Sequence, residues 1–160
     1  MHNQEALTAI ISGLNGDLSR EYAAIIQYIQ HAAMLSGPEY FAIIDEIEEH
    51  ADEEKEHAII LSSIIQYLGG VPTIEVTPRY TSNNNREMLM QDLQAEYDAI
   101  QRYLERIRQL EALGLYDSAQ KLRNIVAVEQ EHAIDLEIAL GLNQDGTTGS
   151  NWVPPQKTSY

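Results

Sequence analysis

A pattern of glutamate and histidine residues occurs twice in this 160-residue chain and restricts its fold more than any other feature. In each half, one glutamate is followed 33 positions later by a second, and a histidine stands three positions further on. Four carboxylates and two imidazoles are a complete ligand set for two adjacent first-row metal ions in a helical bundle. These candidate ligands are Glu21, Glu54 and His57 in the first half and Glu96, Glu129 and His132 in the second.

The repeated residues lie in segments with helical periodicity. Apolar residues recur at steps of three and four in four segments, which is typical of amphipathic helices. The six residues interrupt these apolar stripes and therefore face the core, where an isolated charge costs several kcal/mol. The sequence predicts an all-α fold and a group that compensates the buried charge, such as a metal pair. The predicted helices cover 3–35, 38–68, 85–113 and 116–140.

The turns between these segments predict the topology. The first two segments meet at Gly37, midway between residues 21 and 54, and the last two meet just before Gly114, midway between 96 and 129. Folding each half into an antiparallel hairpin therefore brings its lone glutamate level with its Glu-x-x-His pair. The connection from Gly69 to Asn85 can span about 55 Å when extended, whereas a helix of about 30 residues is about 45 Å long. This length favours a four-helix bundle with a long crossover between helices two and three, although a shorter local loop remains an alternative.

Composition excludes several classes of protein. The chain has no cysteine, which excludes disulfides and thiolate metal sites and fits a reducing compartment. We find neither a signal peptide at the amino terminus nor an apolar run of about 20 residues, and we expect a cytoplasmic protein. The net charge of −15 argues against nucleic acid or anionic membranes as partners and favours cations.

The spacing also predicts how the ligands share two ions. A glutamate and a histidine three apart project to the same side of a helix. By symmetry, we expect Glu54 and Glu129 to bridge the two ions. Iron, manganese and zinc all suit oxygen and nitrogen ligands. A single Glu-x-x-His pair would be weak evidence for a metal site, and a helical bundle that has lost its metal remains the alternative. The duplication is what favours a two-metal site.

Two tyrosines lie on the inner stripes near the candidate ligands. Tyr28 is seven positions after Glu21, and Tyr103 is seven positions after Glu96. Either hydroxyl can donate a hydrogen bond to a ligand or an electron to the site, and core packing is the plainer reading. We include Tyr28 among the candidate catalytic residues and interpret Tyr103 as a packing residue.

Other polar residues of the second helix have plainer interpretations. His50 has an isoleucine, Ile47, three positions before it, so we interpret it as a core or channel histidine and not as a ligand. The acidic run around it is typical of a solvated helix face. Glu49 and Glu53, one turn apart, could face the cavity of a cage if the chain forms one.

Several segments of the chain resemble bacterioferritins of the ferritin-like superfamily. The segment 21–32 is similar to their first helix, and 54–57 followed by 68–72 is similar to the end of their second. Glu96 and the segment 129–133 complete the resemblance, which covers about 1–142. It implies a ferroxidase that uses two irons per subunit, oxidises Fe(II) with oxygen or hydrogen peroxide and stores ferric mineral in a homo-oligomeric cage. It also aligns Tyr28 with a family tyrosine beside the iron site.

The sequence departs from bacterioferritins in two places. Lys55 stands where they carry a haem-ligating methionine, so we expect no haem. We divide the chain into a bundle, 1–142, and a non-helical tail, 143–160, which replaces their short fifth helix. This makes a 12-subunit cage, as in mini-ferritins, an alternative to the 24-subunit one, and the tail is not basic enough to bind DNA. A non-storage di-iron redox enzyme of the peroxidase or oxygenase type, and a metal-free interaction module, remain alternative functions.

Overall fold

Four helices form the described part of the protein. The computed structural model describes residues 2–142, and the predicted tail, 143–160, lies outside this range. Within 2–142 there is no strand, which confirms the all-α prediction. The helices are α1 His2–Met34, α2 Phe41–Tyr67, α3 Asn85–Ala112 and α4 Tyr116–Leu140.

The first turn differs in detail from the prediction. We expected the second helix to begin at Pro38, but a 3-10 turn, Pro38–Tyr40, precedes α2. Gly37 has φ 113°, a conformation that only glycine adopts readily. Its carbonyl accepts from the Tyr40 N–H at 3.1 Å, three positions on. The tighter turn therefore takes up the first residues that the periodicity assigned to the helix.

The topology follows from the contacts between α1 and α3. Asp17 near the middle of α1 pairs with Arg106 late in α3, whereas Gln27 further along α1 bonds Asp92 early in α3. These two helices are therefore antiparallel. Each is also antiparallel to its hairpin partner, α2 or α4, so α2 and α3 run parallel. The long crossover between them is confirmed.

The crossover follows α1 along the bundle. The Asn15 side chain accepts a hydrogen bond from the Thr73 N–H at 2.7 Å. Further on, the Gln27 side chain accepts from the Tyr80 N–H at 2.8 Å. These bonds satisfy backbone groups that a connection without regular structure leaves free.

The core lies where the four apolar stripes meet. Its buried aliphatic side chains come from all four helices, including Leu14, Ile47, Leu93 and Leu122. None of the described helices has the length and apolar character needed to cross a bilayer.

Candidate metal centre

All six predicted ligands lie in the core at one level of the bundle. Glu21 projects from α1 and Glu96 from α3, and each Glu-x-x-His pair projects from the helix that follows in its hairpin. Each of the six is at most 4 % exposed. Such burial of charged groups is uncommon unless they are paired or bind a metal.

The six residues form two overlapping groups. Within each group, one oxygen or nitrogen from every member lies within 4.8 Å of the others. Glu54 and Glu129 belong to both groups, as the prediction that they bridge two ions requires. That the groups bind metal stays a prediction. The first group is Glu21, Glu54, His57 and Glu129, and the second is Glu54, Glu96, Glu129 and His132.

The two shared carboxylates each direct one oxygen to each histidine. Glu54 Oε2 is 3.0 Å from His57 Nδ1, and its Oε1 is 3.2 Å from His132 Nδ1. Glu129 Oε1 is 3.4 Å from His57 Nδ1, and its Oε2 is 3.4 Å from His132 Nδ1. A carboxylate whose two oxygens face different histidines in this way can hold two cations about 3.5–4 Å apart, which is the spacing of two-metal sites.

Hydrogen bonds within the protein do not satisfy the whole group. His132 Nδ1 and Glu129 Oε2 are buried and have no hydrogen-bond partner. A buried polar atom without a partner costs about 1–3 kcal/mol, and a cation between these atoms would remove that cost. Two divalent cations would also neutralise four carboxylates. The donor set therefore fits a pair of first-row ions.

Burial perturbs the acid–base properties of the carboxyl groups. Burial, with the charges of Glu129 and Glu21, raises the pKa of Glu54 well above its ordinary value. Burial and the Glu129 charge raise the pKa of Glu96 to about 7. Near neutral pH, the metal-free protein therefore retains protons on carboxyl groups that would be ionised in water.

The histidines carry charge in the metal-free protein. Burial acts to lower the pKa of His57, but hydrogen bonds to Glu129, Glu21 and Glu54 outweigh it and raise the pKa to about 12. Burial also acts to lower the pKa of His132, but the carboxylates of Glu129, Glu54 and Glu96, 3.2–3.5 Å from its Nδ1, outweigh it and raise that pKa. Two imidazolium groups thus take the place of cations, and a metal ion must displace their protons.

Each tyrosine on the inner stripes contacts a candidate ligand of the opposite half. The Tyr28 hydroxyl donates to Glu96, and the Tyr103 hydroxyl donates to Glu21. Both rings are almost completely buried. The interpretation of Tyr103 as a packing residue was therefore incomplete, because its hydroxyl also holds a ligand oxygen.

Glu53 contacts the centre through a histidine. His132 Nε2 donates to Glu53 Oε2 at 2.6 Å, which leaves Nδ1 as the nitrogen that faces the carboxylates. A carboxylate behind a ligand histidine fixes its ring and raises its basicity. The sequence suggested only a cavity-facing role for Glu53, because no spacing rule along α2 identifies a partner on α4.

A buried network beside Glu96 was not predicted. Asp92 is 1 % exposed and accepts from the Gln27 amide at 2.8 Å and from His31 Nδ1 at 2.8 Å. His31 Nε2 lies 3.2 Å from the Tyr80 carbonyl oxygen. The network joins the crossover to α1 and α3 one turn from Glu96. An aspartate within an apolar stripe was the signal that could have identified it.

His50 is buried as expected but is not satisfied. Its Nε2 lies 3.3 Å from Asp135 Oδ2, and its Nδ1 has no partner. Its ring stacks on that of His132, with centroids 3.9 Å apart. Burial and the neighbouring His132 lower the pKa of His50. His50 has no carboxylate three positions before it in the sequence, but Glu46 stands four positions before it, a spacing that also places two residues on one side of a helix.

A cavity of about 580 Å³ reaches the centre between α1 and α3. Its walls include all four candidate glutamates and, on the outer side, Arg20, Arg102 and crossover residues such as Tyr80. The glutamates are thus accessible to small molecules from one side of the bundle.

Comparison with known proteins agrees with this fold and arrangement of residues. The family model for the ferritin-like domain matches residues 11–143. The chain belongs to the ferritin-like family. It is 34% identical over 134 residues to a bacterioferritin of Brucella melitensis, covering 83% of each chain. It is 31% identical to a bacterial ferritin of Synechocystis, covering 84% of this chain and 87% of that one.

A solved structure is also similar. It is described as a ferritin-like, diiron-carboxylate protein from Bacillus anthracis, and it is 35% identical to this chain with a TM-score of 0.81. The match covers 84% of this chain and 97% of that one. The resemblance to bacterioferritins proposed from the sequence is therefore confirmed.

Proposed function

We propose that this chain is a ferroxidase that oxidises Fe(II) at the two overlapping groups and stores or detoxifies the product in a homo-oligomeric cage. The observation that carries the proposal is the position of Glu54 and Glu129, each of which directs one oxygen to each histidine. Iron is the metal that agrees with the bacterioferritin relatives and with the solved diiron-carboxylate structure.

The residues have separate roles in this proposal. Glu54 and Glu129 would each hold both irons, Glu21 with His57 would complete the ligands of one, and Glu96 with His132 would complete those of the other. Two ferrous ions would supply two electrons, which together with two protons reduce oxygen to hydrogen peroxide, or hydrogen peroxide to water. The Tyr28 hydroxyl orients Glu96, and the Tyr103 hydroxyl orients Glu21. Because Tyr28 is next to Glu96, it is also placed to donate an electron to the iron site. The cavity between α1 and α3 admits the small oxidant.

Exposed apolar side chains support assembly into a cage. Ile29 and Ile59 are both 58% exposed, and Ile74 in the crossover is 88% exposed. Apolar side chains are costly to leave in water, and contiguous patches of them are typical of surfaces that associate. A cage of 12 or 24 subunits, with no haem because Lys55 offers no sulfur ligand, is the assembly we propose.

The test is iron oxidation and retention by the purified protein. Fe(II) added in air should be oxidised quickly, and gel filtration with metal analysis should show a large assembly that retains many more irons per chain than two. Glu54→Ala and Glu129→Ala should each slow oxidation at least tenfold, since both remove a ligand of both ions. Glu131→Gln, which changes an exposed residue of α4, is the matched control. Unchanged oxidation in both alanine variants would refute the assignment.

A second function is supported by the cavity. A volume of about 580 Å³ beside the four glutamates could hold an organic molecule, because ligand sites typically measure about 300–1,000 Å³. A non-storage di-iron redox enzyme of the peroxidase or oxygenase type is therefore the alternative. A protein that retains only two irons per chain, does not form a shell and consumes an organic reductant with peroxide would establish it.

A further inference from the structure

A third group of possible metal ligands lies outside the two overlapping groups. It comprises Glu46 and His50 on α2 and Asp135 on α4, with one ligand atom of each within 4.8 Å of the others. Glu46 and His50 are four positions apart and therefore share one side of the helix. α4 packs against that helix and supplies the third residue.

The geometry of His50 fits a ligand better than a hydrogen-bonded core residue. The ring is 2 % exposed, but its two nitrogens make only one polar contact, at 3.3 Å to Asp135. Two ligands bound about 2.1 Å from one ion in tetrahedral geometry are about 3.4 Å apart. The His50–Asp135 distance therefore matches the separation of two atoms that bind the same cation.

Charge and access also favour a cation. Glu46 and Asp135 supply two negative charges, which balance one divalent ion, and His50 adds a nitrogen ligand of the kind that first-row metals prefer. The Glu46 side chain is exposed, and that of Asp135 is 38% exposed. An ion can thus reach this group from solvent through the side of the bundle formed by α2 and α4.

We propose that Glu46, His50 and Asp135 together bind one divalent transition-metal ion as a third cation site of the chain. The ring of His50 stacks on that of His132, so this site lies directly beside the two overlapping groups. The proposal concerns binding alone and does not depend on the proposed ferroxidase activity.

The test is the number of Co²⁺ ions that the full-length protein holds without oxygen, measured by equilibrium dialysis and metal analysis. The unaltered chain should bind about three ions. Asp135→Asn and Glu46→Gln should each bind one fewer, whereas Glu48→Gln, which changes an exposed neighbour on α2, should bind as many as the unaltered chain. Circular dichroism establishes that the variants are folded. Equal binding by the unaltered chain and both site variants would overturn the proposal.

A further variant separates this proposal from the proposed function. The double variant Glu54→Ala/Glu129→Ala should retain one ion, and adding Asp135→Asn to it should remove that ion. If the overlapping groups bind no metal, the unaltered chain holds one ion that Asp135→Asn removes, and only the proposed function fails. If the unaltered chain holds two ions that only the double variant removes, the third site fails and the two-metal centre stands.

Discussion

Replacing Glu96 by glutamine should stabilise the metal-free protein while weakening its metal binding. Burial and the neighbouring Glu129 charge raise the pKa of Glu96 from 4.5 to about 7. Because one pKa unit is worth about 1.4 kcal/mol, ionising this group in the fold costs about 3 kcal/mol. Glutamine has nearly the same shape and keeps an oxygen for the Tyr28 hydroxyl, but it carries no charge.

The predicted gain depends on pH. Below pH 4.5 Glu96 is protonated in both states, so its charge has no effect on stability. Between 4.5 and about 7 the unfolded chain loses this proton first, and the free energy of unfolding falls as the pH rises. Above about 7 the full cost is present. The Glu96→Gln variant should therefore be more stable by about 3 kcal/mol at pH 8, or about 6–12 °C in Tm, and should show no gain at pH 4.

The assay is urea unfolding at pH 8 and pH 4 in the presence of a chelator, at equal protein concentrations. Glu131→Gln, an exposed glutamate of the same charge, is the control and should change stability by less than about 0.5 kcal/mol. With excess Co²⁺ the order should reverse, because the unaltered chain gains more binding free energy. A Glu96→Gln variant that is less stable than the unaltered chain at pH 8 without metal would refute the reasoning.

Three further predictions concern the centre and its support. Loading two divalent cations per chain at pH 7 should release about three to four protons. Both imidazoles hold protons at that pH, and the raised pKa values of Glu54 and Glu96 leave protons on these carboxyl groups as well. Calorimetry in two buffers measures the number, and release of none would contradict the prediction. Tyr103→Phe removes the hydroxyl that donates to Glu21 and should weaken binding of one ion about 5- to 100-fold. Competition with a coloured chelator measures the affinity, and an unchanged value would show that this hydrogen bond does not position Glu21. Gly70→Ala should lower the free energy of unfolding by about 1–3 kcal/mol, since the added Cβ would lie 2.5 Å from Ile11 Cγ2. An unchanged midpoint of urea unfolding would show that the backbone after α2 adjusts without cost.

Much of the fold could be predicted because its determinants are local. Apolar periodicity fixes which residues form each helix, and the turns at Gly37 and Gly114 fix where each hairpin closes. The long connection between the hairpins allowed a crossover, and its hydrogen bonds to Asn15 and Gln27 show the path it takes. The start of α2 was predicted less well, because periodicity does not distinguish a 3-10 turn from the first turn of an α-helix.

In the candidate centre, too, the features set by local spacing could be predicted and the contacts between distant helices could not. The repeated spacing was sufficient to choose six residues that the fold brings together in two overlapping groups. The spacing could not predict contacts between helices from different halves, because residues such as His132 and Glu53 are 79 positions apart in the chain. The sequence also could not predict that one nitrogen of His50 lacks a partner, since this depends on which residues of α4 lie opposite α2.

The sequence by itself determined the helices, their hairpins and the residues that carry charge into the core, because each depends on spacing along one or two neighbouring helices. The tertiary structure alone decided which oxygen of Glu54 and Glu129 faces which histidine and which tyrosine holds which glutamate. It also decided that Glu46, His50 and Asp135 come together. The physical reason is that these contacts depend on the rotation and axial position of one helix against another, which the packing of the whole core sets.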